Sequence, residues 1–166
     1  MTSLANLAEK VATALILRHE TIAVAESSTG GLIAAALLAV PGASAYFIGG
    51  AVVYTKASRA ALMGIGDAEM KGLRPSTEDY ALLIARRARD NMGATWGLGE
   101  SGATGPRGNR YGDAAGHSCL AVAGPLENQA RAVTLETASA DRPANMDAFA
   151  RRGLELLLEV VTGSRV

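Results

Sequence analysis

A polar turn between two apolar runs constrains the fold of this chain more than any other feature. Residues 21–24 form a short apolar run of the kind found in buried strands, and residues 32–38 form one typical of a buried helix. The turn between them, residues 25–31, reads Ala-Glu-Ser-Ser-Thr-Gly-Gly. Free N–H groups and the positive end of a helix dipole at such a turn can bind an anion or stabilise an oxyanion. The alternative is an ordinary helix start, capped by Ser or Thr and tightened by glycine.

The rest of the chain alternates helices with strands and then ends in a hairpin and a helix. The patterns predict helices at 3–19, 30–39, 57–64, 76–92 and 143–161, and strands at 21–26, 45–54, 95–98, 116–123 and 129–137. Ser76 is expected to cap the helix at 76–92, and Gly49 and Gly50 to mark a bulge or a close backbone approach. A glycine-rich polar loop, 99–113, is long enough to suggest a function. These elements predict an α/β fold, a single three-layer α/β/α domain over residues 1–166 on a mixed, mostly parallel sheet with a late hairpin.

Composition narrows the class of partner. The 16 basic and 16 acidic residues give a formal net charge of zero, which argues against a dedicated nucleic-acid binder. No apolar run approaches the roughly 20 residues that span a bilayer, so no membrane partner is expected. The single Cys119 excludes an intramolecular disulfide and fits a cytoplasmic location. His19 and His117 are isolated from other metal ligands, so no metal site is expected.

Three polar loops each follow a predicted strand and are the candidates for a ligand site. They are the turn at 25–31, the segment 54–59 and the segment 100–108. In an α/β sheet, loops at the carboxyl ends of neighbouring strands share one crevice. The expected ligand-binding residues are Glu26, Thr29, Gly30, Gly31, Ser101, Gly102, Thr104, Gly105, Arg107 and Arg142. For Glu26 two roles stay open: it can orient Lys56 or Arg59, or it can cap a backbone group.

Together these segments resemble the nicotinamide-nucleotide amidase family, whose domain also forms the C-terminus of competence/damage-inducible CinA proteins. The turn at 25–31 is similar to the family's A-E-S-x-T-G-G. Segments 41–47, 50–55 and 101–106 look like its G-(A/S)-S-x-x-F, G-x-x-x-Y-(S/T) and S-G-x-A-G-P motifs, and Asp141 with Arg142 matches a D-R pair. The resemblance covers nearly the whole chain. It implies a homo-oligomer, and it leads us to expect no N-terminal CinA domain in this chain.

The resemblance implies hydrolysis of the carboxamide of nicotinamide mononucleotide to nicotinate mononucleotide and ammonia. The partner would be this small-molecule nucleotide, with no metal or cofactor. The resemblance makes Ser27 the nucleophile and places the activating lysine five residues after Tyr54, where this chain has Arg59. Arginine stays protonated in proteins, so Arg59 cannot accept the serine proton. Lys56, one helical turn earlier, is the expected substitute base, and Tyr54 is an alternative proton relay.

Two departures from the family pattern leave three hypotheses. The first is an amidohydrolase acting on nicotinamide mononucleotide through Ser27. The second is a non-hydrolytic nucleotide-binding or assembly module, in which Arg59 holds an anion. The third is a serine amidase with another substrate, because the segment 107–118 lacks the family's lysine and proline and carries Asp113, Ala114 and His117 nearby.

Overall fold

A five-stranded open sheet lies at the centre of the fold, in the strand order β2-β1-β3-β4-β5. The computed structural model describes residues 2–164. Its strands are β1 (Ile22–Glu26), β2 (Phe47–Val52), β3 (Trp96–Ala103), β4 (His117–Ala123) and β5 (Arg131–Glu136). β1 pairs in parallel with β2 and β3, whereas β4 pairs antiparallel with β3 and β5. Four strands therefore point one way and β4 the other, which confirms the mixed, mostly parallel sheet with a late hairpin.

Five α-helices cover the two faces of the sheet. They are α1 (Leu4–Arg18), α2 (Leu32–Leu38), α3 (Lys56–Met63), α4 (Glu78–Met92) and α5 (Arg142–Thr162). α1, α2 and α5 pack on one face around a core that includes Ile22 and Val24. α3 and α4 cover the other face, where Ala23 and Ala25 meet Ile84. Because successive side chains of a strand point to opposite faces, β1 contributes to both cores, and the three-layer α/β/α architecture is confirmed.

Very close contact between α4 and the sheet accounts for two glycines of β3. A Cβ atom at Gly97 would lie 1.9 Å from the Ala85 carbonyl oxygen, and one at Gly99 would lie 2.2 Å from the Ala81 carbonyl oxygen. Backbone cannot yield to such a clash, so any larger residue there would force α4 away from the sheet. This contact holds Tyr80, in the first turn of α4, beneath the ends of the strands.

The start of α4 differs from the sequence-based prediction. Thr77 is its N-cap, and the Thr77 hydroxyl accepts a hydrogen bond from the Tyr80 amide at 3.2 Å. Ser76, the predicted cap, instead has a left-handed backbone with φ of 60°. Its amide donates to the Ser101 hydroxyl on β3 at 3.0 Å, a tertiary contact that no local pattern indicates.

The extent of β3 also differs, because the predicted strand ended at residue 98. β3 runs on to Ala103, since it pairs with β4 from Gly97 opposite Ala123 to Ala103 opposite His117. The first part of the predicted glycine loop is therefore strand. By contrast, the bulge predicted in β2 is confirmed by a register shift in its pairing with β1 between Ile22 and Ala23.

Candidate active site

The carboxyl ends of β1, β2 and β3 open onto a cavity of about 580 Å³. The segments 67–76 and 109–111 form much of the facing wall. Six of the sequence-predicted site residues line this cavity: Ser27, Tyr54, Lys56, Arg59, Ser101 and Gly102. The other predicted site residues do not line it: Glu26, Thr29, Gly30, Gly31, Thr104, Gly105, Arg107 and Arg142.

Glu100, fully buried on β3, holds the turn that carries Ser27. One carboxylate oxygen accepts from the backbone amides of Ser27 and Thr29, each at 3.0 Å. The other accepts from the hydroxyls of Ser28 and, at 3.1 Å, Ser118. A buried carboxylate is tolerated only when such donors surround it. The position of Ser27 is therefore fixed by a residue 73 positions away in the sequence.

Glu26, buried at the end of β1, caps the N-terminus of α2 with its carboxylate. Its carboxylate accepts from the amides of Gly31 at 3.2 Å, Ile33 at 2.9 Å and Ala34 at 3.0 Å, and from the Thr29 hydroxyl at 2.7 Å. Burial raises the pKa of Glu26, although these hydrogen bonds oppose the shift. Of the two roles left open for Glu26, the structure shows the backbone cap and no contact with Lys56 or Arg59.

These two carboxylates change what the turn at 25–31 offers a ligand. The amide of Thr29 donates to Glu100, that of Gly31 to Glu26, and that of Gly30 to the Ser27 carbonyl at 3.2 Å. The three residues predicted to cradle a phosphate or oxyanion thus have protein acceptors, and their geometry supports a structural role. Within residues 2–164 the Ser27 hydroxyl and the Ser28 amide have no hydrogen-bond partner. Ser27 itself is half-buried and lines the cavity.

Lys56, the predicted substitute base, is engaged elsewhere. Its amine forms an ion pair with Asp67 at 2.8 Å, and both side chains are more than two-thirds exposed. The hydrogen bond and the charge of Lys56 hold the pKa of Asp67 below its usual value. Lys56 would have to break this ion pair before its amine could approach Ser27, which opposes a role as base.

Arg59 shares the first turn of α3 with Lys56 but is buried. The turn is fixed by a capping box in which Thr55 and Ser58 bond each other's backbone amides. Arg59 is 7% exposed, and its guanidinium lies over the Tyr80 ring, 5.7 Å from the centroid. Its Nε has no hydrogen-bond partner among the described residues. An unpaired nitrogen on a buried cation is costly, and the contact with Tyr80 offsets only part of that cost.

Arg142 bonds the start of the glycine loop, directly after β3, beside the cavity. An Arg142 nitrogen donates to the Gly105 carbonyl at 2.7 Å, and another lies 3.5 Å from the Tyr54 hydroxyl. The Thr104 carbonyl accepts from the Asn145 amide group at 2.9 Å. Arg142 therefore connects α5 with the cavity wall through Tyr54 and with the glycine loop through Gly105.

His117, expected to be an isolated histidine, lies in a polar cluster behind the cavity. Its Nδ1 contacts the Glu136 carboxylate, and its Nε2 lies 2.9 Å from the Ser76 carbonyl oxygen. Burial alone would lower the pKa of His117, but the contacts with Glu136, Ser76 and Asp113 raise it overall. Within residues 2–164, no group of three or more His, Cys, Asp or Glu side chains is arranged to hold a metal ion. In the same part of the chain, no helix is long and apolar enough to cross a membrane.

Sequence reasoning did not identify three residues that shape the site: Glu100, Arg74 and Tyr111. One signal for Glu100 was present, since it is the only charged residue in β3, whose other residues are glycine, apolar residues and one serine. Glu26 carries the same signal at the end of β1. Arg74 and Tyr111 lie in connecting segments, and nothing local shows that these segments meet.

Comparison with known sequences places the chain among CinA proteins. The family model described as CinA C-terminal domain matches residues 4–161. A CinA-like protein of Prochlorococcus marinus (strain MIT 9313) is 40% identical over 120 residues, which are 72% of this chain and 28% of that protein. One of Gloeobacter violaceus (strain ATCC 29082 / PCC 7421) is 36% identical over 130 residues, which are 78% of this chain and 30% of that protein. The chain thus spans less than a third of the length of these curated relatives.

Solved structures share the fold along nearly the full chain. The competence/damage inducible protein CihA from Agrobacterium tumefaciens has a TM-score of 0.88 at 26% identity, covering 96% of each chain. A CinA superfamily protein from Klebsiella pneumoniae 700603 has a TM-score of 0.89 at 24% identity, covering 98% of this chain and 99% of that chain. Because the Klebsiella pneumoniae protein is only 24% identical to this chain, its likeness shows the fold alone.

Proposed function

Because the chain belongs to the CinA C-terminal domain family, we propose that its cavity binds a phosphorylated nucleotide amide, with nicotinamide mononucleotide as the first candidate. One observation carries this proposal: the buried Arg59, which forms no ion pair with a carboxylate within residues 2–164, lines the same cavity as the unbonded hydroxyl of Ser27. An anionic group on the ligand would supply hydrogen-bond acceptors and a neutralising charge for the guanidinium. Guanidinium groups favour bidentate contacts with phosphate. Arg110 also lines the cavity and forms no ion pair within residues 2–164, so the net charge of the wall favours an anion.

The first candidate activity is hydrolysis of the ligand's carboxamide by Ser27. The Ser27 oxygen would attack the carboxamide carbon while its proton passes to a base, and the carbonyl oxygen would take up the negative charge. The amide of Ser28, the residue that follows Ser27, has no hydrogen-bond acceptor within residues 2–164, so it is the candidate donor for that oxygen. As the oxyanion collapses and the C–N bond breaks, the leaving nitrogen takes the proton that the base accepted from Ser27 and departs as ammonia. Water hydrolyses the resulting serine ester to the carboxylate and restores Ser27.

The proton acceptor decides how fast this reaction can run. Arg59 remains charged, and Lys56 would have to leave Asp67 and lose its own proton. We therefore expect slow turnover at neutral pH and faster turnover in alkali. The second candidate is a nucleotide-binding module without turnover. Arg59 favours it, because an arginine can bind an anion but cannot accept the serine proton.

The facing wall supports a third candidate, a serine amidase for another substrate. Asn109, Arg110 and Tyr111 line the cavity and belong to the segment 107–118, which departs from the family pattern. These three residues would contact a ligand bound in the cavity, so they bear on substrate choice more than on the fold.

The test measures binding and turnover separately. Calorimetry with nicotinamide mononucleotide reports binding, and ammonia release from pH 7 to pH 10 reports hydrolysis. We expect the wild-type protein to bind the nucleotide. Arg59→Lys should raise ammonia release by about 10²- to 10⁴-fold, the usual contribution of a positioned base, provided that Ser27 is the nucleophile.

Matched variants separate the candidates. Ser27→Ala should abolish ammonia release in both the wild-type and the Arg59→Lys background. A wild type that releases ammonia rapidly, with Lys56→Ala as active as wild type, would exclude Lys56 as the base. Binding without release in every variant would leave the non-hydrolytic module. Absence of binding would overturn the nucleotide proposal, and release only from other nucleotide amides would support the third candidate.

A further inference from the structure

Tyrosines are concentrated around the cavity in a chain that has few aromatic residues. Aromatic residues make up 4% of the sequence, and three of its four tyrosines line this cavity. Tyr80 is 2% exposed and lies under the Arg59 guanidinium. Tyr54 and Tyr111 are 60% and 40% exposed, so they are the two with ring surface open to a ligand.

The loop that carries Tyr111 is a closed turn, and this fixes the backbone from which the ring projects. The Asn109 side-chain oxygen accepts from the amides of Tyr111 at 3.0 Å and Asp113 at 3.1 Å. The Asn109 side-chain nitrogen donates to the Asp113 carboxylate at 2.8 Å, and the Asn109 amide donates to the Asp113 carbonyl at 3.1 Å. Because the turn is already ordered, a ligand that contacts it loses little binding free energy to the conformational entropy of the loop.

Arg74 supports the ring of Tyr111. The Arg74 guanidinium lies 5.3 Å from the ring centroid, within the range of a cation–π contact. Both terminal nitrogens of Arg74 donate to the Asp113 carboxylate, at 2.8 Å and 3.2 Å. This pairing holds the pKa of Asp113 below its usual value. Arg74 is thus neutralised and held in place, and its function at the cavity is to support the ring more than to attract an anion.

We propose that Tyr111, supported by Arg74, is the surface on which the planar ring of the bound nucleotide stacks. This inference rests on the proposed function, because it names what recognises the base of the same ligand. Two residues of the cavity then have different roles: Arg59, which has no carboxylate partner within residues 2–164, faces the anionic group, and Tyr111 presents an aromatic ring supported by Arg74. Tyr80 is excluded from this role by its burial under Arg59, and the hydroxyl of Tyr54 faces Arg142. Tyr111 therefore determines the preference for a ligand with a base.

The test compares two variants of Tyr111 with three small molecules. Calorimetry measures the affinity of nicotinamide mononucleotide, adenosine monophosphate and ribose 5-phosphate, which lacks a base. Tyr111→Leu should weaken binding of each nucleotide that the wild type binds by about 5- to 100-fold, the range for loss of one stacking contact, and leave ribose 5-phosphate within about 2-fold. Tyr111→Phe, which keeps the ring, should bind like wild type. A urea unfolding curve for each variant checks that the fold is unchanged.

The outcomes separate this inference from the proposed function. If nicotinamide mononucleotide binds equally well to wild type and Tyr111→Leu, the stacking inference is overturned and the proposed function stands. If only adenosine monophosphate binds, and binds through Tyr111, the stacking inference holds and nicotinamide mononucleotide is excluded. Equal losses for all three ligands would show that Tyr111 has no selective role, which also overturns the inference. A protein that binds none of them refutes both.

Discussion

The two sides of the cavity differ in how their charged groups are satisfied. On the serine side, the carboxylates of Glu26 and Glu100 are buried and accept hydrogen bonds from the amides and hydroxyls of the turn at 25–31. On the cationic side, Lys56 has only an exposed ion pair, and the Nε of Arg59 has no acceptor within residues 2–164. The two carboxylates of the serine side are satisfied without a ligand, whereas the Arg59 guanidinium on the cationic side has no carboxylate partner within residues 2–164.

This difference shows where a ligand can contribute binding energy. A group whose hydrogen bonds are already satisfied gains little from a ligand, and its role is to hold geometry. A buried group without a partner gains most when a ligand supplies one. We infer that the serine side positions Ser27, and that Arg59 and its neighbours select the ligand.

The largest expected effect is on stability, from removal of Glu100. Glu100→Leu leaves the amides of Ser27 and Thr29 buried without an acceptor, so we expect the free energy of unfolding to fall by about 2–5 kcal/mol. Urea denaturation followed by circular dichroism measures it. Glu127→Leu, at a carboxylate whose side chain is 87% exposed, is the control and should change stability by less than about 0.5 kcal/mol. Equal effects of the two substitutions would contradict the role given to Glu100.

A smaller effect is expected from the titration of His117, behind the cationic side. Although burial opposes it, contacts with Glu136 and Ser76 raise the pKa of His117 above 6.5, so protonated His117 stabilises the folded state. This contribution is complete below pH 6.5 and is lost as the pH rises through the raised pKa. Unfolding curves across this range should show a loss of stability that His117→Asn removes. His19→Asn, at the exposed end of α1, should keep the wild-type slope, and an unchanged slope in His117→Asn would refute the assignment.

The smallest expected effect on stability comes from Arg59. The Nε of Arg59 bonds no acceptor, so its removal leaves no acceptor without a donor. Arg59→Met should therefore lower the free energy of unfolding by less than about 1 kcal/mol, or raise it. Arg74→Met is the matched control, since it leaves the Asp113 carboxylate without its bidentate partner, and it should cost about 1.5–3 kcal/mol. Thermal or urea unfolding of both variants gives the comparison. A larger loss from Arg59→Met than from Arg74→Met would show that Arg59 is a structural residue.

The fold could be predicted from the sequence because its signals are local. Apolar periodicity located all five helices and all five strands, and turn residues located the late hairpin. The errors arose where a tertiary contact set the boundary. β3 extends to Ala103 because β4 pairs with it, and α4 begins after Ser76 because the Ser76 amide bonds Ser101. Neither partner is near in sequence, so neither boundary has a local signal.

The site could be predicted only in part. Six predicted residues line one cavity because the carboxyl ends of parallel strands meet at one edge of the sheet. Arg74 and Tyr111 were missed because their proximity depends on the fold of two connecting segments. The catalytic role of Ser27 and the homo-oligomer implied by the resemblance stay predictions.

The sequence by itself determined the elements of the fold, the hydroxyl- and glycine-rich turn, and the fact that position 59 carries a group that cannot give up its proton. These follow from side-chain chemistry and local periodicity, which do not depend on distant residues. Only the tertiary structure decided what each charge faces. Glu100 bonds a turn 73 positions away, Lys56 pairs with Asp67, and Arg59 is left for the cavity. The physical reason is that hydrogen bonds and ion pairs act over a few ångströms in space, and only the packed sheet and helices set those distances.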